Sequence, residues 1–202
     1  MKILNATQLD EAAELLRKGE VIAFPTETVY GLGVVFDNKE AYDRLVKVKR
    51  RPPFKPFTMM LADPEDIEKY CELNEASRKI IKAFMPGPIT LITDAKPGLP
   101  KWCLSEIGRV GVRVADYDLI RDLIRKTGKP LLVPSANRAG EEPGVTAKEV
   151  VDTFGDEFPA VLDGKTFSHL PSTVVMVEEK YTHVFREGPI SIEDIKKVIG
   201  EK

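Results

Sequence analysis

The sequence predicts an α/β protein in which a single twisted, mixed sheet is flanked by helices. Three observations lead to this fold class. Short apolar runs are bounded by Gly or Pro, longer segments between them have helical periodicity, and the two kinds of segment do not alternate strictly. The length of 202 residues fits one domain, so we expect a single domain over 1–202.

Each predicted helix combines a residue that can cap its N-terminus with an apolar face of period 3.6. The stretch 7–10 has the capping-box pattern for the first helix, and Gly19 is expected to end it. Asn38, Thr146 and Ser191 are expected to cap later helices. In chain order, helices are predicted at 7–18, from 38 to before Pro52, at 64–72, 75–85, 117–126 and 146–154, and from 191 onward.

The predicted strands are short apolar runs that end at residues unsuited to the interior of a sheet. The run 21–24 is wholly apolar and is followed by Pro25. Gly128 and Pro130 separate a helix from the run 131–133. In chain order, strands are predicted at 21–24, 29–36, 57–62, 89–93, 110–114, 131–133, 161–162, 173–177 and 183–185.

Composition narrows the class of protein. A hydrophobic content of 43% with 31% charged residues is typical of a folded globular chain. Cys71 and Cys103 form no CxxC motif, so reduced thiols are favoured over a metal site. The N-terminus lacks the apolar region of a signal peptide, and no apolar run approaches the ~20 residues of a membrane span. We therefore expect a cytoplasmic protein without membrane association.

Positive charge is concentrated in one segment although the chain carries a net charge of −2. Residues 44–55 contain six cations and no carboxylate. On a continued helix, Lys47 and Arg51 would share a face, and a polyanion would relieve the repulsion within the segment. The alternative is a solvated helix end, where cations are favoured by the helix dipole.

Small polar residues lie next to several predicted strands. Thr26–Thr28 precedes two glycines, which permit close approach of a ligand to the backbone, although a plain interstrand turn has the same pattern. The segment 134–137 follows a strand, where open α/β sheets place ligands. Segment 171–173 precedes another strand. Arg109 and Arg113, four apart in a strand, are expected to point to the same face.

Taken together, these segments resemble the YrdC family of threonylcarbamoyl-AMP synthases over nearly the whole chain, in its short, single-domain form. Order and spacing both agree, and several runs in sequence are far more specific than any one alone. The matching runs are FPTETVYGLG at 24–33, KVKRRP at 47–52, PGPITLI at 86–92, GVRV at 111–114, PSANRAG at 134–140, STVV at 172–175 and REGPIS at 186–191.

The resemblance implies a twisted α/β fold with a positively charged central cavity. It also implies a reaction in which L-threonine, bicarbonate or CO2, and ATP give threonylcarbamoyl-AMP and pyrophosphate. A downstream tRNA threonylcarbamoyl transferase complex would use the product to modify adenosine 37 of tRNA. Mg2+ is expected as the cofactor, held through the ATP phosphates and not by protein ligands.

Site residues follow from the resemblance, position by position. The catalytic group would hold phosphates and the nascent carbamate, and comprises Lys47, Lys49 and Arg51. The ATP-binding group comprises Arg51, Lys55, Ser135, Asn137 and Arg186. The threonine-binding group comprises Thr28, Arg113, which would pair with the substrate carboxylate, and Ser172.

The chain departs from the family pattern at Lys55, Met60 and Arg109, where longer relatives usually have Asn, His and Thr. Two other functions remain open at this stage. One is an RNA-binding module that uses the basic cavity without catalysis, which the net negative charge and low aromatic content disfavour. The other is a carbamoyl-adenylate-forming enzyme with another acceptor. Weak contact with tRNA is compatible with the synthase as well.

Overall fold

Short apolar segments from the whole length of the chain pair into one sheet. The computed structural model describes residues 1–51, 56–178 and 181–200. Within these ranges the strands are β1 (Lys2–Leu4), β2 (Ile22–Phe24), β3 (Gly31–Val35), β4 (Met59–Met60), β5 (Cys71–Glu72), β6 (Ile89–Ala95), β7 (Arg109–Arg113), β8 (Leu131–Leu132), β9 (Ala160–Leu162), β10 (Thr173–Val177) and β11 (Thr182–Arg186).

The helices follow the periodic segments of the sequence. They are α1 (Leu9–Arg17), α2 (Lys39–Lys49), α3 (Glu75–Phe84), α4 (Asp118–Thr127), α5 (Ala147–Phe154) and α6 (Ile192–Ile199). Short 3-10 helices occur at Ala6–Gln8, Pro64–Lys69 and Lys101–Cys103. No helix in the described part of the chain is both long enough and apolar enough to cross a membrane.

The sheet is mixed, as predicted. Its strands follow the order β1-β9-β2-β3-β8-β4-β7-β6-β10-β11, and β5 pairs with β6 beside this path. Parallel pairs, such as β4 with β7 and β6 with β10, alternate irregularly with antiparallel pairs, such as β6 with β7. With helices packed against it, this sheet confirms the predicted fold class.

Successive residues of a strand point to opposite faces of the sheet, and in β2 and β3 every residue is buried, so both faces are covered there. In β2, Ala23 belongs to one hydrophobic core, and its neighbours Ile22 and Phe24 belong to the other. Helices α2, α3, α5 and α6 contribute to the first core, and α1 and α4 pack together on the second. This arrangement explains why the strands are apolar without alternation.

Most predicted helix starts are confirmed. Asn38, Thr146 and Ser191 each accept a hydrogen bond from a backbone N–H in the first turn of their helix. The cap predicted at 7–10 is wrong. Asn5 occupies that role: its Oδ1 accepts from the backbone N of Thr7 at 2.9 Å, and Oε1 of Gln8 accepts from the backbone N of Asn5 at 3.1 Å. A 3-10 turn therefore precedes α1.

Two strands were not predicted, and both depend on distant partners. β1 has three residues, two of them exposed, and pairs in parallel with β9, about 160 positions away. β5 lies where the helix 64–72 was predicted, because that helix is a 3-10 turn ending at Lys69 and the next residues pair with β6. Local periodicity carries no signal for such pairings.

Candidate functional site

A cavity of about 270 Å3 opens between the strands in the middle of the sheet. Its lining from β7 comprises Arg109, Gly111 and Arg113, which confirms that the two arginines point to the same face. Hydroxyl side chains and four arginines supply its polar surface, and no Asp or Glu occurs among the described lining residues. The polar lining comprises Thr26, Thr28, Arg51, Thr58, Thr90, Ser105, Arg109, Arg113, Ser135, Ser172 and Arg186.

The turn between β2 and β3 directs a chain of hydrogen bonds into the cavity. The hydroxyl of Thr26 donates to the backbone carbonyl of Val29 at 2.8 Å, so it must accept in its 2.8 Å contact with the hydroxyl of Thr28. Thr28 in turn accepts from Nη2 of Arg113 at 3.0 Å. The proton of Thr28 is thereby committed, and Thr28 offers a ligand only a lone pair.

Arg113 is buried and pairs with Glu27, a residue that sequence analysis did not assign. Its Nη2 donates to Oε1 of Glu27 at 2.7 Å, while Nε of Arg113 and Oε2 of Glu27 are buried without a hydrogen-bond partner. The sequence signal was available, because Glu27 lies within the run 24–33. Its partner is 86 positions away, however, and a lone sequence does not reveal that pairing.

Ser172 also lines the cavity, where contacts with two strands hold it. Its hydroxyl lies 2.9 Å from that of Thr90, and it accepts from Nη2 of Arg186 at 3.1 Å. Nε of Arg186 also donates to the backbone carbonyl of Ser172 at 2.9 Å. Burial, with repulsion from Arg113 and Arg51, lowers the pKa of Arg186. All three guanidinium groups belong to residues that line the cavity.

Gly188 is the position that keeps Arg186 and Ser172 together. A Cβ atom there would lie 2.4 Å from the carbonyl oxygen of Pro171 and 2.5 Å from the backbone N of Thr173. Only a residue without a side chain permits this approach.

We predict that Gly188→Ala destabilises the protein by about 1–3 kcal/mol, the usual cost of overpacking, and weakens ATP binding because Arg186 is displaced. Thermal unfolding and calorimetric titration with ATP measure the two effects. The control is Glu187→Ala, at the exposed neighbouring position. Equal behaviour of the two variants would contradict the prediction.

Lys49 is a buried cation without a paired carboxylate among the described residues. Its Nζ donates to the backbone carbonyls of Ser135 and Asn137 at 2.6 and 2.5 Å, and to Oδ1 of Asn137 at 2.9 Å. Burial, reinforced by repulsion from Arg51 and Arg138, lowers its pKa to about 7. All three ammonium protons are used by the loop 135–137, so Lys49 supports that loop from behind.

The same loop presents Ser135 to the cavity. The hydroxyl of Ser135 donates to Oδ1 of Asn137 at 2.6 Å, and Nδ2 of Asn137 donates to the backbone carbonyls of Arg138 and Glu141. Asn137 is not among the cavity-lining residues. Both predicted residues therefore lie together with Lys49, and Ser135 is the one that faces the open space.

The basic segment divides at the end of α2. The backbone of Arg50 lies in the left-handed region, with φ of 49°, so α2 ends at Lys49. Arg51 is therefore not helical, and the expectation that Lys47 and Arg51 share a helix face is wrong. Arg51 lines the cavity, and its Cζ lies 5.2 Å from the centroid of the Phe57 ring. Lys47 is exposed and does not line the cavity. Its predicted contact with phosphates stays a prediction.

The three departures from the family pattern have different places. Lys55 lies outside the described residues. Met60 is buried and lines the cavity. Arg109 also lines it. Its Nε lies 3.1 Å from Oδ1 of Asp94, and its Nη2 lies 2.6 Å from Oε1 of Glu178.

The donor set bears on the predicted Mg2+. No group of three or more His, Cys, Asp or Glu residues is placed to hold a metal ion within the described ranges. The hydroxyls and arginines of the cavity fit a magnesium ion only if triphosphate oxygens supply most of its ligands, as Mg2+ commonly requires.

Comparison with known proteins gives a consistent set of relatives. The sequence model of the Sua5/YciO/YrdC family, described as "Telomere recombination", matches residues 14–188. A threonylcarbamoyl-AMP synthase of Enterobacter is 38% identical over 168 residues, covering 81% of this chain and 88% of the relative. One of Bacillus subtilis is 35% identical over 199 residues, covering 97% of this chain but 58% of the relative.

A similar solved structure is that of Pyrococcus abyssi Sua5 complexed with L-threonine. It superposes with a TM-score of 0.94 at 31% identity, covering all of this chain and 62% of that chain. The present chain thus spans nearly the whole length of the Enterobacter protein and about three fifths of the Bacillus and Pyrococcus proteins.

Proposed function

Because this chain belongs to the Sua5/YciO/YrdC family, we propose that it is a threonylcarbamoyl-AMP synthase, a nucleotidyltransferase that joins L-threonine, bicarbonate or CO2, and ATP. The observation that carries the proposal is the single cavity in which two kinds of group meet. Thr28, Arg113 and Ser172 line it together with Arg51, Ser135 and Arg186.

The amino acid is assigned to the Thr28–Arg113 part. The hydrogen bonds of the Arg113 side chain to described residues use only Nη2, so Nη1 can donate to a carboxylate. Thr28 can only accept a further hydrogen bond, because its own proton is donated to Thr26. It therefore suits the amine or hydroxyl of the substrate, and an anionic oxygen would be repelled there.

ATP is assigned to Arg51, Arg186 and the Ser135 loop. Neither arginine has an ion pair with a described carboxylate, so both guanidinium groups are available for phosphate oxygens. Arg51 is partly buried, which strengthens such contacts because water screens them less. Lys49 takes part by holding the loop 135–137 in place, which revises the direct phosphate contact expected of it.

The chemistry needs alignment and charge neutralisation more than a strong base. The threonine amine adds to CO2 and releases a proton, which gives a carbamate. A carbamate oxygen then bonds to the α-phosphorus of ATP, and the bond from that phosphorus to the bridging oxygen of pyrophosphate breaks. Both partners are anionic, so Arg51 and Arg186, which have no ion pair with a described carboxylate, reduce their repulsion. Mg2+ would neutralise part of the triphosphate charge when bound.

The decisive assay measures pyrophosphate. Purified protein incubated with ATP, Mg2+, bicarbonate and L-threonine is expected to release pyrophosphate only when threonine is present. A product containing both threonine carbon and adenylate should appear by mass spectrometry. Absence of threonine-dependent pyrophosphate would overturn the proposal and leave the RNA-binding alternative, which a filter-binding assay with tRNA would then test.

The product's use by a downstream tRNA threonylcarbamoyl transferase complex, weak contact with tRNA, and action in the cytoplasm belong to the same proposal. A different acceptor is not favoured, since a named synthase matches this chain over 88% of its own length. Supplying the transferase complex and unmodified tRNA to the assay tests the downstream step.

A further inference from the structure

Glu27 stands directly behind the arginine that lines the amino-acid end of the cavity. Arg113 lines the cavity and Glu27 does not. Their side chains are 7% and 12% exposed, and one oxygen of the carboxylate is bonded to one terminal nitrogen of the guanidinium. The pair is therefore buried and is formed through Nη2 of Arg113 alone. No described residue accepts a hydrogen bond from Nη1.

This pair gives the cavity an uneven distribution of charge. Arg51 and Arg186 line the cavity without an ion pair to a described carboxylate, whereas Arg109 is balanced by Asp94 and Glu178 near the rim. At Arg113 the charge of Glu27 cancels that of the guanidinium. The charges of Arg51 and Arg186 are thus unbalanced among the described residues, while Arg113 is combined with a negative group.

Such a pair distinguishes two kinds of ligand by Coulomb's law. A plain anion is attracted to an uncompensated guanidinium and is repelled by a carboxylate behind it. An α-amino acid carries a carboxylate and an ammonium a few ångströms apart, so it gains from both members of the pair. The lone pair of Thr28 beside Arg113 favours the same ammonium.

We infer that Glu27 is a positioning residue that sets ligand specificity: through Arg113 it makes this end of the cavity select a zwitterionic α-amino acid over plain carboxylates and phosphate. The inference rests on the proposed function, because it concerns the site assigned to threonine. Glu27 holds one edge of Arg113, which fixes the guanidinium, and supplies the negative charge that rejects the competing anions.

The test is direct binding to Glu27→Gln, which keeps the shape of the side chain and an oxygen for Arg113 but removes the charge. Calorimetry compares L-threonine with (R)-3-hydroxybutyrate, which is threonine without its amino group, and with inorganic phosphate as a competitor. We expect L-threonine to bind about 10-fold more weakly and (R)-3-hydroxybutyrate and phosphate about 5-fold more tightly, with ATP affinity within about 2-fold of wild type.

Weaker binding of L-threonine together with tighter binding of the two anions would distinguish a change of specificity from a general distortion of the site. A merely structural role would weaken all of these ligands together and would overturn the inference, as would unchanged or tighter threonine binding. Glu27→Asp keeps the charge and should retain the wild-type preference. The matched control is Asp63→Asn, whose carboxylate pairs with Arg121 and Arg125 away from the cavity, and it should leave every affinity unchanged.

Wild-type protein supplies a second measurement that does not depend on the variant folding. (R)-3-hydroxybutyrate should bind at least about 10-fold more weakly than L-threonine, and equal binding would overturn the inference. The outcome is separable from the proposed function. If wild-type protein neither binds threonine nor releases threonine-dependent pyrophosphate, both the proposed function and the role of Glu27 are wrong. If wild-type protein is active and Glu27→Gln has the same ligand affinities, only the role of Glu27 is wrong.

Discussion

Replacing Arg51 with Ala is expected to lower kcat/KM for pyrophosphate release by at least about 100-fold, the usual effect of removing one charge-stabilising donor from a reaction site. Arg51 extends into the cavity beyond the end of α2 and has a buried Nε without a partner. Steady-state kinetics with varied ATP would show the loss. Stability should change by about 1 kcal/mol or less, because the side-chain contact given up among the described residues is the one with the Phe57 ring.

The control for Arg51 is its neighbour. Arg50→Asn removes an adjacent positive charge while keeping a residue type that tolerates the left-handed backbone found there. It should retain most of the activity, since Arg50 is exposed and does not line the cavity. A comparable loss in both variants would show that the segment acts through its overall charge, against the specific role given to Arg51.

Replacing Lys49 with Met is expected to abolish most activity, again by about 100-fold or more. The side chain keeps its length but loses three hydrogen bonds that hold the loop 135–137. The two backbone carbonyls are left without the lysine donor, at a cost of about 1–3 kcal/mol each if no water replaces it. The loop should become susceptible to proteolysis and to hydrogen exchange. Lys148→Met, on the exposed surface of α5, is the matched control.

The lowered pKa of Lys49 leads us to expect that activity falls and stability rises as the pH increases. Its pKa is lowered from 10.5 to about 7, chiefly by burial, with Arg51 and Arg138 repelling it and Glu141 acting in the other direction. Above about pH 7 the neutral amine cannot donate to all three oxygens, so activity at saturating bicarbonate should fall. Lys49→Met should lose this step in the pH profile of its residual activity.

The contribution of Lys49 to the free energy of unfolding should instead rise with pH. Between about pH 7 and 10.5 the unfolded chain binds a proton at Lys49 that the folded protein does not, so this group's contribution to the free energy of unfolding rises with pH. The cost of the buried charge is fully present below about pH 7. Comparing the pH dependence of thermal unfolding for wild type and Lys49→Met isolates the contribution.

The sequence was sufficient for features that depend on neighbours along the chain. Caps such as Asn38 and the apolar runs of β2 and β10 act within a few residues, so periodicity and capping rules identify them. The family resemblance located residues that the structure then places in one cavity, including Thr28 and Ser172.

What the sequence could not supply is the pairing of distant groups. Lys49 was expected to touch phosphate because a lysine in a basic run suits an anion, yet its protons are taken by carbonyl oxygens 86 and 88 positions away. Glu27 went unassigned for the same reason, since its partner lies on β7. Physical roles of charged residues depend on such partners and on burial, neither of which one sequence states.

The order of strands has a consequence for how the protein is made. The cavity joins groups from Thr28 near the start of the chain to Arg186 near its end, and Gly188 closes the wall behind them. Long-range pairing of this kind makes folding slow, because distant segments must meet before their contacts stabilise them. A nascent chain emerging from the ribosome therefore has no complete binding site until residues 171–188 are available. Premature termination before β11 would leave the cavity without Arg186.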